Sequence, residues 1–201
     1  FKPLTAVAAL EEHVIGIDDT IECTGRYEEI DTPIKCWIYP GRHGPLNMVG
    51  GLLNSCNFFF ADLGHRLSMD AEGNYVPSLG LDKLHKYAAM FGLDHKSGVE
   101  IDELEPQISD IDPERSAMGQ GNHAYTNVQL SRYVAAIASR GNVFELSLLD
   151  KITDSEGNLI KDYTPEISSH IDAADSTWDT VQQGMREVIA SGTAKKLFAD
   201  L

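Results

Sequence analysis

Helical periodicity is the strongest constraint in this sequence, and one long stretch near the start lacks it. Asn127 to Ser139 (NVQLSRYVAAIAS) is an amphipathic helix, with Asn127 or Thr126 as its N-cap and Gly141 as its stop. Asp175 to Ala190 (DSTWDTVQQGMREVIA) is another. Leu81 to Phe91 (LDKLHKYAAMF) has apolar residues at i, i+3, i+4 and i+7, closed by Gly92. Thr5 to Glu12 (TAVAALEE) is a helix-forming run with Pro3 suited to a first turn. Leu46 to Leu67 is helix-rich around Phe58, Phe59 and Phe60, and Thr193 to Leu201 is predicted as a short helix.

Residues 17 to 45 have a different texture. Asp18-Asp19, Thr24-Gly25, Thr32-Pro33, Pro40-Gly41 and His43-Gly44-Pro45 punctuate loops and short strands, with Ile34 to Tyr39 as one strand. Asp94 to Ile111 is irregular, and the acidic run Glu100 to Asp112 reads as a solvated loop. A hairpin is predicted where Leu146 to Ile152 and Asn158 to Tyr163 flank Ser155-Glu156-Gly157. Helix outweighs strand, and no repeat, low-complexity tract or flexible linker interrupts the chain.

Charge narrows the partners. With 16 Lys+Arg against 31 Asp+Glu the formal net charge is −15, which argues against holding nucleic acid by its phosphates. No apolar run approaches the roughly 20 residues of a membrane span. The chain enters at Phe1-Lys2-Pro3, with no initiator Met and no signal peptide, directly on a helical pattern, as though from the middle of something longer.

Several groups carry chemistry. Ser55 and Asn57, two apart around Cys56, suit a cleft, where a hydroxyl relays a proton and an amide holds a carbonyl or orients a lysine. The same triplet also suits a helix N-cap. Lys2 stands near the positive end of a helix dipole, which disfavours its charge; a neutral lysine is a general base, a solvated one is not. Gly119-Gln120-Gly121 is too short for a phosphate-binding fingerprint and reads as a tight turn.

The cysteines number three, Cys23, Cys36 and Cys56, so they cannot all pair within the chain. Cys23, Cys36 and His43 follow C-x12-C-x6-H, a ligand set suited to tetrahedral zinc, with Cys56, Asp18 or Asp19 as a fourth ligand. A Cys23–Cys36 disulfide and simple buried thiols are the other two readings. His13, His65, His85, His95, His123 and His170 show no metal-ligand spacing; His123 is expected near a cleft. Trp37 and Trp178 are expected to anchor the core.

In combination these pieces are more specific. FKPLTAVAALEE, IKCW, HGPLNMVGGLLNSCNFFF, MFGLDHKSGVEI and MGQGNHAYTNVQLSRYVAAIASRGN occur in this order, and together they resemble the transpeptidase domain of class B penicillin-binding proteins over essentially the whole chain. The family's usual T-P-x-Q reads Thr126-Asn127-Val128-Gln129 here.

The resemblance implies a single transpeptidase domain over residues 1–201, incomplete at both ends. It implies a mixed α/β (α+β) fold related to serine β-lactamases, mainly its helical part, with a minor antiparallel β component. It implies acyl transfer by a serine, through S-x-x-K, S-x-N and K-[ST]-G, onto peptidoglycan stem peptides, with β-lactams as trapping mimics. Lys2 matches the S-x-x-K lysine as general base, the serine falling two residues before Phe1; Ser55 and Asn57 match S-x-N. Gly119, Gln120 and Gly121 are substrate-binding candidates. Ser191-Gly192-Thr193-Ala194 follows Ala190 and reads as a helix cap, so K-[ST]-G is expected beyond Leu201. These 201 residues alone are then expected to be inactive.

Other cell-wall synthesis proteins are the implied partners, and nucleic acid is not. No cofactor is required, and a structural zinc stays one of the three readings of the cysteines. The implied location is the outer face of the cytoplasmic membrane, held by an anchor outside this chain. The alternatives are an inactive relative that senses β-lactams or wall fragments, and a structural helical domain whose S-x-N is only a cap.

Overall fold

The computed structural model describes residues 1–198. In chain order the elements are α1 (Lys2–Glu11), β1 (Ile21–Cys23), β2 (Arg26–Tyr27), β3 (Ile34–Lys35), β4 (Gly44–Leu46), α2 (Met48–Leu53), α3 (Asn57–Leu67) and α4 (Pro77–Met90). They continue with α5 (Pro113–Ala117), α6 (Asn127–Ala138), β5 (Asn142–Phe144), β6 (Lys151–Thr153), β7 (Leu159–Asp162), β8 (Ile167–His170) and α7 (Asp175–Ala190). The strands form antiparallel pairs β1–β4, β2–β3, β5–β8 and β6–β7. The mixed α/β expectation, helical with minor antiparallel β, is what the molecule shows.

The chain divides into two compact units. The first comprises residues 1–87, 109–123 and the segment from Ala173 onward. Its central element is α1, where Leu4, Ala6, Val7, Ala8 and Ala9 have no exposed surface. A helix apolar on all sides is stable only when enclosed; α2, α3 and α7 pack against it. Helix α7, whose Trp178 is buried, also packs on α2, and α3 packs on α5. Gly51 permits the approach of α2 to Phe59, since a Cβ there would stand 2.6 Å from the ring. The N-terminus of α7 has no side-chain cap of its own. Glu11 of α1 serves instead, accepting from Thr177 Oγ1 at 2.6 Å and from Ala174 N–H at 3.2 Å.

The second unit comprises residues 88–108 and 124–172. Helix α6 begins with a capping box. Gln129 N–H donates to the Thr126 hydroxyl at 3.2 Å, and Thr126 N–H donates to Gln129 Oε1 at 2.8 Å. Arg132 of α6 is buried and donates to the carbonyls of Gly92, His95 and Ser97, which ties down the irregular segment after α4. Glu103 accepts from Ser97 N–H and Oγ, Gly98 N–H and Thr126 Oγ1, and these donors hold it below the usual carboxylate range. Part of the acidic run is therefore a clamp and not merely a solvated loop.

Other expectations are corrected. The predicted strand Ile34 to Tyr39 stops at Lys35, while Leu46 to Leu67 is helix-rich as expected, in two helices separated by a turn. Trp37 is no core anchor; it is 57% exposed and donates to Asn54 O at 2.8 Å. Helix α4 starts four residues earlier than predicted, and α5, five residues behind its Asp112 cap, is too short for periodicity to reveal. Residues 193–198 form turns instead of the expected helix, whose last three residues lie outside the described residues.

Candidate functional site

The serine–cysteine–asparagine triplet is the turn that separates α2 from α3. Ser55 adopts φ +47°, the left-handed conformation that normally ends a helix on glycine. Ser55 N–H donates to Leu52 O at 2.9 Å and Cys56 N–H to Gly51 O at 3.0 Å, the paired bonds of a Schellman ending. Cys56 is extended and caps α3, accepting from Phe59 N–H at 3.4 Å. Asn57 is the first residue of α3. The turn therefore buries Cys56 completely and leaves Ser55 and Asn57 half-buried on either side. A non-glycine left-handed residue costs about 1–2 kcal/mol, a strain that often accompanies function.

Lys2, in the first turn of α1, is brought beside this turn. Its Nζ lies 5.8 Å from the Phe60 ring centre on α3 and donates to Met118 O at 3.2 Å. Burial lowers its pKa, since a charged amine is poorly solvated there; the nearby pair Cys56 and Cys36 opposes the shift. Gly119 follows Met118 and packs on the residue beside Lys2, since a Cβ on Gly119 would lie 2.8 Å from that of Phe1. Gly119 and Gly121 both have φ +86°, and Gln120 N–H donates to Arg115 O at 2.9 Å. The Gly-Gln-Gly turn is thus gathered with Lys2, Ser55 and Asn57 in the first unit. His123 lies there too, its ring 4.1 Å from that of Phe1. Its Nδ1 accepts from Ser109 N–H at 2.9 Å, and Nε2 donates to Ser116 O at 3.1 Å.

Cys23, Cys36, His43 and Cys56 converge next to the turn, their ligand atoms all within 4.8 Å of one another. Cys23 ends β1, Cys36 follows β3, and His43 precedes β4; pairing of Cys23 with Gly44 brings the first and last of these together. The His43 Nδ1 atom is 3.6 Å from Sγ of both Cys23 and Cys36, and Sγ of Cys36 is 3.8 Å from that of Cys56. Tetrahedral zinc with its usual bond lengths needs sulfur–sulfur edges of about 3.8 Å and sulfur–nitrogen edges of about 3.6 Å. The three separations given match those edges and the rest do not exceed 4.8 Å, and His43 Nε2 is buried with no hydrogen-bond partner among the described residues. The thiols are free, and Cys36 is pushed toward thiolate because the Cys56 thiol donates to it. Asp18 is exposed, and Asp19 accepts from Gly16 N–H at 2.7 Å; Cys56, and neither aspartate, converges with Cys23, Cys36 and His43.

Two further strings resemble functional elements. Lys96-Ser97-Gly98 spells K-S-G, which the sequence reading passes over. It lies in the second unit on no strand, with Ser97 bound to Glu103 and Lys96 paired with Glu105 at 3.1 Å. Ser191 to Ala194 ends α7, with Gly192 N–H donating to Glu187 O at 2.8 Å, in keeping with the expected cap. A contact that spacing does not announce joins His65 Nδ1 to the buried Glu114 carboxylate at 3.0 Å, with the Tyr75 hydroxyl donating to the same carboxylate.

Comparison with known proteins bears on all of this. The family model described as penicillin binding protein transpeptidase domain matches residues 1–200. Stage V sporulation protein D of Bacillus subtilis is 26% identical over 213 residues, covering 100% of this chain and 30% of that protein. The peptidoglycan D,D-transpeptidase MrdA of Haemophilus influenzae is 25% identical over 224 residues, covering 99% of this chain and 31% of that protein. The chain thus spans under a third of the length of these relatives. In structure it resembles PBP2 of Pseudomonas aeruginosa, solved in complex with WCK 5153, with TM-score 0.79 and 24% identity over 100% of this chain and 46% of the other.

Proposed function

The chain belongs to the penicillin-binding protein transpeptidase domain family, and from that premise we propose that it carries the lysine and S-x-N elements of a D,D-transpeptidase crosslinking peptidoglycan stem peptides. The observation that carries this reading is Lys2, an amine whose burial beside the S-x-N turn favours its neutral form. A neutral Nζ accepts the proton of an attacking serine hydroxyl. Ser55 relays that proton to the leaving amine, and Asn57 holds the substrate carbonyl or orients Lys2. The nucleophilic serine and the K-[ST]-G strand are supplied by residues other than these 201. β-Lactams react at the same serine, the site faces the outside of the cytoplasmic membrane, and other cell-wall synthesis proteins act with it.

Zinc belongs in the same reading. Cys23, Cys36, His43 and Cys56 would hold it in a closed four-ligand site, and such a site supplies rigidity, not reactivity. Because Cys56 is the middle residue of S-x-N, the centre fixes the turn that presents Ser55 and Asn57.

A labelled penicillin tests the assignment. A longer polypeptide carrying the S-x-x-K serine and K-[ST]-G takes up the label, and Lys2→Ala abolishes uptake. The 201 residues alone take up none, and a stable adduct on them overturns the assignment of the nucleophile. Metal analysis of fresh protein, before and after chelation, expects one zinc per chain; none in fresh protein ends the metal reading.

A further inference from the structure

The antiparallel ribbon of the second unit opens in its middle. β5 pairs with β8 and β6 with β7, so residues 142–153 run against residues 159–170. Glu145 N–H donates to Glu166 O at 2.9 Å on one side of the opening, and Tyr163 N–H to Asp150 O at 3.0 Å on the other. Between these rungs, residues 146–149 and 164–165 form none among the described residues. The result is a groove of about 960 Å³, one wall of which bends at Leu148 where Ser147 Oγ bonds the Leu149 backbone.

Its lining has two characters. Leu146, Leu148 and Leu149 supply apolar surface, and Leu148 and Leu149 are 59% and 43% exposed. Glu100, Glu145, Asp150, Asp162 and Glu166 line it, with Lys161 as the only basic residue of the lining and Lys151, 4.0 Å from Asp150, beside it. The Ser147 hydroxyl and Leu148 N–H donate to Glu100 and hold it below the usual carboxylate range, so its charge is retained in mildly acidic solution.

We propose that this groove is a docking surface for an extended, basic segment of a partner protein. The segment lies along residues 146–149, with apolar side chains on the leucines and lysine or arginine side chains on the carboxylates. Five acidic lining groups against one basic group select a cationic occupant, and a groove running between two antiparallel segments selects a linear one. A second copy of this chain, at net charge −15, is poorly matched to such a surface. The proposal goes beyond the transpeptidase reading and does not rest on it.

The test uses two labelled, end-blocked octapeptides of equal charge and composition. One alternates lysine with leucine; the other places four lysines before four leucines. Fluorescence anisotropy on the whole chain is expected to show the alternating peptide binding at least tenfold more tightly. Glu145→Lys with Glu166→Lys weakens it at least tenfold, Leu148→Ser with Leu149→Ser at least fivefold, and Lys161→Glu strengthens it. All five positions are exposed, and circular dichroism checks that each variant is folded. Equal binding of the two peptides, or indifference to the leucine and Lys161 variants, overturns the proposal. So does self-association of the chain that the leucine substitutions abolish, which would make a second copy the occupant.

Discussion

The two β-containing regions are held together by opposite means. Around the S-x-N turn, β1 to β4 are two or three residues long, too short to be stable by backbone rungs alone. What fixes them is side-chain chemistry, with three buried thiols and an imidazole converging from separate strands and a helix cap. The ribbon of residues 142–170 is the reverse. Its side chains in β6, β7 and β8 are all exposed, and backbone pairing and turn residues define it. A region can therefore be ordered by what it buries or by how its backbone closes. The first arrangement can hold a rigid site, and the second leaves side chains free for a partner.

That contrast can be broken experimentally, and the largest effect is expected from the metal. If zinc closes the thiol cluster, chelation removes about 4 kcal/mol of stability when free zinc exceeds its dissociation constant a thousandfold. Denaturant melts with and without chelator measure this, and unchanged midpoints would place the cluster with simple buried thiols. Gly51→Ala is next, because its Cβ collides with Phe59; a loss of about 2 kcal/mol is expected. Ser55→Gly acts in the opposite direction. Relief of the left-handed strain raises stability by about 1 kcal/mol, while removal of the hydroxyl abolishes penicillin labelling of the longer polypeptide. A loss of both would mean that the hydroxyl is structural.

Ile152→Ser with Leu159→Ser in the ribbon changes stability by less than about 0.5 kcal/mol, since both side chains are exposed. A larger loss would show that the ribbon is held by burial after all. The smallest effect is one of pH. Asp154 closes the hairpin turn by accepting from Asn158 Nδ2 at 2.8 Å and from Glu156 and Asn158 N–H, so its pKa is lowered. A carboxylate with a lowered folded pKa contributes stability that is present above the unfolded value and lost as pH falls through the folded one. Turn resonances followed by NMR should therefore hold until pH is below about 3.9 and then change. A midpoint above that value would contradict the bonds described.

Much of the helical framework was legible in the sequence because its signals are local. The Thr126 cap, one of two offered, the Asp175 to Ala190 pattern and the Gly92 stop all lie within a few residues of what they specify. Helix α5 escaped because five residues carry no period. Trp37 and Trp178 are alike in sequence, yet one is 57% exposed and the other 2%; burial depends on what arrives from elsewhere in the chain. Similarly, Lys96-Ser97-Gly98 has the letters of a catalytic element and none of its strand setting.

The sequence by itself determined the longer helices, the S-x-N triplet, and a set of cysteines and a histidine with metal-binding chemistry. Residue type and short-range spacing are sufficient for these. Only the tertiary structure decided that the middle residue of that triplet, Cys56, completes the cluster in place of Asp18 or Asp19, and that Lys2 lies under α3 beside it. The physical reason is range. Cys36 meets Cys56 across 20 residues, and Lys2 meets Met118 across 116. Contacts so far apart are set by packing around α1 and by strands too short to leave a pattern in the sequence.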